Sequence, residues 1–174
     1  LIKISHSALT PSCANLINVL PSLPLLSRPY IPELDLSGVV EIAGPDAPAN
    51  LQPGTHVFGS VPLMPNYIVY GAGTMAEYTV VGADHVAPVP KAEGFGLAEA
   101  AALNSNGQTA ALMVRNAKIG QGSRVFVNGG SGGVGTLAVQ IAKAEGAYVV
   151  ATGSGENADL VKRLGADDVG LKFL

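Results

Sequence analysis

Apolar residues in the first ninety positions fall in short, β-branched runs interrupted every few residues by proline or glycine. "LIKIS", "SGVVEIAG", "THVFGS", "AEYTVVG" and "HVAPVP" have the length and Val/Ile content of strands, with turn residues between them. This pattern predicts a compact β-barrel or sandwich. "PSLPLLSRPYIPEL" (21–34) carries four prolines and reads as an ordered loop. Near Gly96 the pattern changes. "GLAEAAALNSNGQTAALMVRNA" (96–117) is rich in Ala and Leu and predicts two helices broken at Asn104–Gly107. Then strand and helix alternate: "SRVFVNGG", "GGVGTLAVQIAKAEGA", "YVVATGSG", "NADLVKRLGA", "DDVGLKFL". Strands spaced by helices of this length predict βαβ units in a parallel sheet, here three strands and two crossovers. The expected organisation is a β-rich part over 1–112 and an α/β part over 113–174.

Composition narrows the function classes. The 174 residues include only 13% charged side chains, and mean hydropathy is +0.35. This argues against disorder and for some apolar surface that meets another segment or subunit, such as a homodimeric parent would provide. A net charge of −3 with no Lys/Arg cluster gives no reason to expect nucleic acid. No apolar run reaches the ~18–20 residues of a membrane span. The one cysteine, Cys13, excludes an intrachain disulfide and any cysteine-rich zinc site, and fits a reducing, cytoplasmic setting. The chain begins with Leu1 in what reads as a strand already under way, so it is expected to be cut at its start, and an organellar address stays open.

The chemistry is concentrated in "VNGGSGGVGT" (127–136). Gly130, Gly132 and Gly135 make a G-x-G-x-x-G between a strand and a helix. The three glycines suit a tight turn, close backbone approach to a pyrophosphate, and close helix–strand packing, while the helix N-terminus offers N–H groups to the anion. A triphosphate P-loop is excluded because Thr136 stands where its lysine must be. Gly129, Gly133 and Gly135 also satisfy the G-x-x-x-G-x-G of short-chain dehydrogenases. None of the five tyrosines, however, has the lysine four residues on that such enzymes carry.

Taken in order, "LIKIS", "ALTPS", "DLSGVVEIAG", "LQPGTHVFG", "GTMAEYTVV", "AAALNSNGQTA" and "VNGGSGGVGTLAVQIAKAEGA" resemble the medium-chain dehydrogenase/reductase superfamily, and more closely its zinc-free quinone oxidoreductase and enoyl reductase branch. The resemblance runs from Leu1 to about Val169. It implies an α/β chain with a GroES-like β-barrel catalytic domain followed by a Rossmann doubly wound parallel sheet, here partial. It also implies an oxidoreductase that passes hydride from a nicotinamide to an enone or a quinone. The zinc branch places ligands where this chain has Thr10 and Leu34, and His6, His56 and His85 lie in unrelated segments, so no zinc is expected. By resemblance the cofactor is held by Thr109, by Gly130, Ser131, Gly132, Gly133, Val134 and Gly135, and by Ser154 and Asn157.

The branch's usual Asn before Pro is Thr10 here, and Leu16 and Ile17 stand where some members carry a tyrosine, so no catalytic acid is named. Asp35 and Glu77 match recurrent family acids and read as structural, capping backbone N–H groups. Asn104, Ser105 and Asn106 either line the cleft or cap the second helix.

An NAD enzyme puts Asp or Glu at the end of the second Rossmann strand; this chain has Thr152 and Gly153. Ser154 to Asn157 resembles the turn that holds a 2'-phosphate, with Glu156 as a complication. NADPH is therefore expected over NADH. A Rossmann domain of six strands would need three more than the pattern supplies. The expectation is a fragment or truncated form of a longer reductase, itself nearly inactive. A non-catalytic dinucleotide-binding or inactive homologue is the alternative.

Overall fold

The computed structural model describes residues 1–19 and 30–171. The chain divides into two units, Leu1–Ser105 and Asn106–Leu174.

The first unit holds a five-stranded antiparallel sheet in the order β4-β1-β2-β3-β5. Its strands are β1 (Ile2–Ser7), β2 (Asp35–Val40), β3 (His56–Ser60), β4 (Tyr78–Thr79) and β5 (Val86–Pro88). β2 is central, and its residues are buried on both faces rather than in alternation because the apolar core lies on one face and α3 packs against the strand. It pairs with β1 from Ile2 opposite Val40 to Ser7 opposite Leu36, with a bulge between Ile4 and His6. Ile2, Leu36, Val40, Leu51, Val57 and Val61 form the core beneath the sheet. Helices complete the unit's framework: α1 (Pro11–Val19), the short α2 (Ile68–Tyr70) that continues an irregular helical segment Leu63–Tyr67, and α3 (Leu97–Ala101). The Ser37 hydroxyl, buried on β2, donates to the Leu97 carbonyl and ties α3 to the sheet.

Several expectations change here. "AEYTVVG" yields only the two-residue β4, because pairing to β1 stops at Tyr78 and Thr79. The helix α1 inside "ALTPSCANLINVL" is not among the expected elements: Pro11 opens it at the first helical position, where a missing N–H costs nothing. Of the proline-rich stretch 21–34, residues 21–29 lie outside the described residues, and 30–34 carry no regular secondary structure. The stretch 96–117 does form two helices, but the break falls at Ala102–Leu103. The second helix, α4 (Asn104–Asn116), already starts at Asn104 because Asp35 caps it there.

The second unit is a parallel sheet in the order β6-β7-β8, made of β6 (Arg124–Val127), β7 (Tyr148–Gly153) and β8 (Asp168–Leu171). The crossovers are α5 (Gly133–Ala144) and α6 (Ala158–Arg163), as the alternating pattern predicts. The core is made of small and branched residues, with Val139 of α5, Val149 and Ala151 of β7 and Val161 of α6 buried together. Each fully buried valine contributes about 1.5–3 kcal/mol relative to exposure. The Asp167 carboxylate accepts from the Val149 N–H at 2.7 Å and from Lys143 at 2.5 Å. This fixes the start of β8 beside the start of β7 and the end of α5. The Lys143 hydrogen bond, then the Val149 N–H, hold the Asp167 carboxyl below the usual carboxylate range. Among the described residues no helix is long and apolar enough to cross a membrane.

Candidate functional site

The glycine loop leaves β6 at Asn128 and enters α5 at Gly133. Gly129 has φ +79°, a left-handed conformation that glycine adopts without strain. The loop is pinned to the end of β7. Thr152 Oγ1 donates to Asn128 Oδ1 at 2.8 Å and accepts the Gly129 N–H at 2.9 Å, while the Gly130 N–H donates to the Thr152 carbonyl at 2.7 Å. Thr152 therefore does more than lack a charge at the strand end: it positions the loop. Sequence reasoning missed this role and that of Asn128, because the two residues are 24 positions apart.

The glycines are required for different reasons. A Cβ on Gly130 would lie 2.8 Å from Ala151 Cβ and 3.2 Å from Val161 Cγ1, so close strand–helix packing demands glycine. A Cβ on Gly135 would run into the Gly129 backbone. On Gly133 it would lie 2.9 Å from the Asn106 amide, which places the start of α4 against the start of α5. Gly132 differs. It is exposed, its backbone is ordinary extended (φ −79°, ψ 168°), and a Cβ there would meet only the Gly129 carbonyl, at 3.4 Å. Nothing among the described residues crowds a side chain's Cβ at 132. The open space over it is what a phosphate oxygen approaching the backbone would use.

The N-terminus of α5 faces the same space. Among the described residues no side chain caps it, and its first turn bond runs from the Thr136 N–H to the Gly132 carbonyl. The N–H groups of Gly133, Val134 and Gly135 precede that bond and have no acceptor within the helix. With the helix dipole they make an anion site.

The second cluster of expected residues lies at the same carboxyl end of the sheet. Asn157 Nδ2 donates to Ser154 Oγ at 2.6 Å, and the Asn157 N–H to the Ser154 carbonyl at 2.9 Å, closing a tight turn after β7. Gly153 brings it beside the glycine loop: a Cβ there would lie 3.8 Å from Ser131 Oγ. Ser131, Gly132 and the Ser154–Asn157 turn are thus gathered in one place. Glu156 is exposed in that turn. Thr109 lies on α4, also exposed.

In the first unit, Asp35 is 1% exposed and accepts from Asn104 Nδ2 at 3.2 Å, the Ser105 N–H at 3.0 Å and Ser105 Oγ at 2.6 Å. It caps α4, the structural role expected of it. The Glu77 carboxylate is exposed, and it is the residue's carbonyl that takes the Ile4 N–H. His6, His56 and His85 are all exposed, on β1, on β3 and before β5. A group that the sequence did not suggest surrounds Thr10. The buried Glu33 accepts from the Thr10 N–H at 3.1 Å and from Thr10 Oγ1 at 3.0 Å, and Ser12 Oγ donates to Thr10 Oγ1 at 3.2 Å. Cys13 and Tyr67 are buried beside it.

Residues 1–91 match the family model described as the alcohol dehydrogenase GroES-like domain. The chain is 36% identical over 185 residues to the medium chain reductase pydE of an Acremonium species, covering 97% of this chain and 50% of that protein. It is 37% identical over 150 residues to the trans-enoyl reductase pgmF of Aspergillus terreus, covering 83% and 40%. Among solved structures, the quinone oxidoreductase of Thermus thermophilus, described also in complex with NADPH, superposes with a TM-score of 0.74 at 29% identity, covering 98% of this chain and 50% of that one. The chain spans about half the length of these relatives. A GroES-like first part, a βαβ second part with a glycine-rich turn, and reductase relatives along both show that the chain belongs to the medium-chain dehydrogenase/reductase superfamily.

Proposed function

We propose that the protein carrying this chain is a zinc-independent, NADPH-dependent reductase that acts on an α,β-unsaturated carbonyl or a quinone in the cytoplasm. On this reading the β-rich part is the catalytic domain and the α/β part the dinucleotide-binding domain. The observation that carries it is the contrast within the glycine loop: Gly130 and Gly135 are crowded by the protein's own atoms, whereas the space over Gly132 is open among the described residues and suits an approaching ligand. The residues fit a dinucleotide. Gly132 to Gly135 would hold its pyrophosphate on the N–H groups of α5, and Ser131 would border it. Ser154 and Asn157 would take the 2'-phosphate with their hydroxyl and amide, since the end of β7 presents Thr152 instead of a repelling carboxylate. Thr109 is assigned to the nicotinamide by family resemblance alone.

Bound NADPH supplies the hydride; the protein supplies orientation and charge placement. A metal is left out of the scheme because Thr10 and Leu34 occupy the family's ligand positions. Relatives that are enoyl and quinone reductases support an acceptor of those classes.

The test is fluorescence titration with NADPH and NADH, together with elemental analysis of the dialysed protein. Tighter binding of NADPH without stoichiometric zinc is expected. Equal or tighter NADH binding, or one zinc per chain, would overturn the corresponding part. Cofactor binding without turnover of any enone or quinone would mark a non-catalytic homologue.

A further inference from the structure

Asn128 is not among the residues that the sequence assigns to the cofactor, yet its carboxamide is fixed at one end and open at the other. Thr152 Oγ1 accepts the Gly129 N–H at 2.9 Å and gives its own proton to Asn128 Oδ1 at 2.8 Å. A hydroxyl can do both at one atom; neither a carboxylate nor an aliphatic side chain can. This bond settles which way the amide is turned. With Oδ1 engaged by the hydroxyl proton, Nδ2 is the free end. Asn128 is exposed, and among the described residues no acceptor takes the two N–H groups of Nδ2.

The free end borders the same open space as Gly132. A hollow of about 600 Å³ is lined by α4, β6 and α5, and it is largely apolar along Met113, Val114 and Val125. Asn128, Gly129 and Gly132 line it too, and Asn128 carries the one polar side chain among its lining residues. An acceptor that enters over Gly132 therefore has two kinds of donor within this unit: the backbone N–H groups at the start of α5, and the Asn128 amide.

We propose that Asn128 is a further cofactor-binding residue, whose Nδ2 donates to a pyrophosphate oxygen, with Thr152 as the residue that positions it. The inference rests on the dinucleotide reading above. Pyrophosphate oxygens only accept hydrogen bonds, so the amide is useful to them only with nitrogen presented, which is the orientation that the Thr152 proton selects. An amide already held in place loses little freedom when the ligand arrives. Position 152 thereby has a reason to be threonine beyond the lack of a charge: an aspartate there would accept only and could give nothing to Asn128 Oδ1. The contact is to a part that NADPH and NADH share, so it sets affinity and leaves coenzyme choice to other residues.

Asn128→Asp is the informative variant. Its carboxylate keeps an oxygen that accepts from Thr152, so the loop stays pinned, while the N–H donors give way to a charge that repels phosphate. In the full chain, fluorescence titration is expected to show NADPH and NADH both bound at least about tenfold more weakly, by the same factor, with the melting temperature unchanged. Thr152→Val keeps the shape and the strand preference but releases the amide. It should weaken both coenzymes about threefold and speed hydrogen exchange at the Gly129 N–H, and Thr152→Ser should restore wild-type values. In nitrogen-15 spectra the Asn128 side-chain amide should shift when NADPH is added. Wild-type affinity in Asn128→Asp, a loss confined to NADPH, or a side-chain amide indifferent to NADPH would overturn the proposal. If the wild-type chain binds neither coenzyme, the dinucleotide reading fails, and titration with inorganic pyrophosphate decides the contact separately: a shift of the Asn128 amide supports it, and an unmoved amide overturns it.

Discussion

The two units place their polar groups in opposite ways. Among the described residues every buried polar or charged side chain lies in the first unit: Glu33, Asp35, Ser37, Thr74, Thr79 and Asn104. The second unit buries only Ala and Val in its core and keeps its polar groups at the strand ends. The first unit is therefore specified by hydrogen bonds between distant segments, such as Thr74 Oγ1 to the Asp35 carbonyl and Ser7 to Thr74. The second is specified by the close approach of small residues. A buried polar network must be fully satisfied to hold, whereas a small-residue core fails when volume is added. The two halves should thus break under different substitutions.

The largest effect is expected from Asp35→Ala. It removes the buried carboxylate that accepts from the Asn104 amide, the Ser105 N–H and the Ser105 hydroxyl and should cost about 3 kcal/mol, read by urea denaturation. A loss below about 1 kcal/mol would mean that water replaces the carboxylate and that the network is not what holds the first unit.

Next comes Gly132→Val, which sharpens the contrast within the second unit. Valine tolerates the backbone there and meets no crowding, so stability should change by less than about 0.5 kcal/mol. NADPH binding should fall at least about 10²-fold by titration, because the branched side chain fills the space that phosphate needs. Retained affinity would contradict the cradle.

A smaller, pH-dependent effect belongs to Asp167. Its carboxyl lies below its ordinary value of 3.8 in the folded state. Its stabilisation is therefore complete above that value and is lost as pH falls through the lower, folded-state value. Asp167→Asn should lower the melting temperature at pH 7 and flatten the stability profile in the acid range. An unchanged acid profile would show that Lys143 and the Val149 N–H contribute nothing.

The smallest effect on stability concerns Phe126, which is 65% exposed on β6. The other edge of β6 has no strand partner among the described residues, and a largely apolar hollow of about 600 Å³ beside it is lined by Met113, Val127 and Val134. Phe126→Thr should leave stability within about 0.5 kcal/mol while reducing concentration-dependent association in sedimentation. Association equal to wild type would place the sticky surface elsewhere.

These differences match what could be read in advance. The glycine loop and the turn beside it were legible because their parts are local: Gly130 to Gly135 follow one strand, Ser154 to Asn157 follow the next, and the period of the pattern announces both βα units. Even there, the pin from Thr152 to Asn128 was invisible, since nothing in a threonine at a strand end says where its hydroxyl points. The early break between the helices of 96–117 escaped for the same reason: Asp35 caps α4 from a strand far earlier in the chain. In the first unit, Glu33 stands in an unremarkable proline-rich stretch and Tyr67 at the end of the irregular helical segment Leu63–Tyr67. Only the fold brings them together with Thr10 and Cys13. By itself the sequence determined the order of strands and helices in the second unit, the glycine loop and the absence of an acid at the end of β7, because hydrophobic period and turn chemistry are properties of neighbouring residues. The tertiary structure alone decided which glycines are crowded by protein atoms and which is left open, and that Glu33 lies against Thr10 with Tyr67 buried nearby, because those contacts join segments whose separation along the chain carries no local signal.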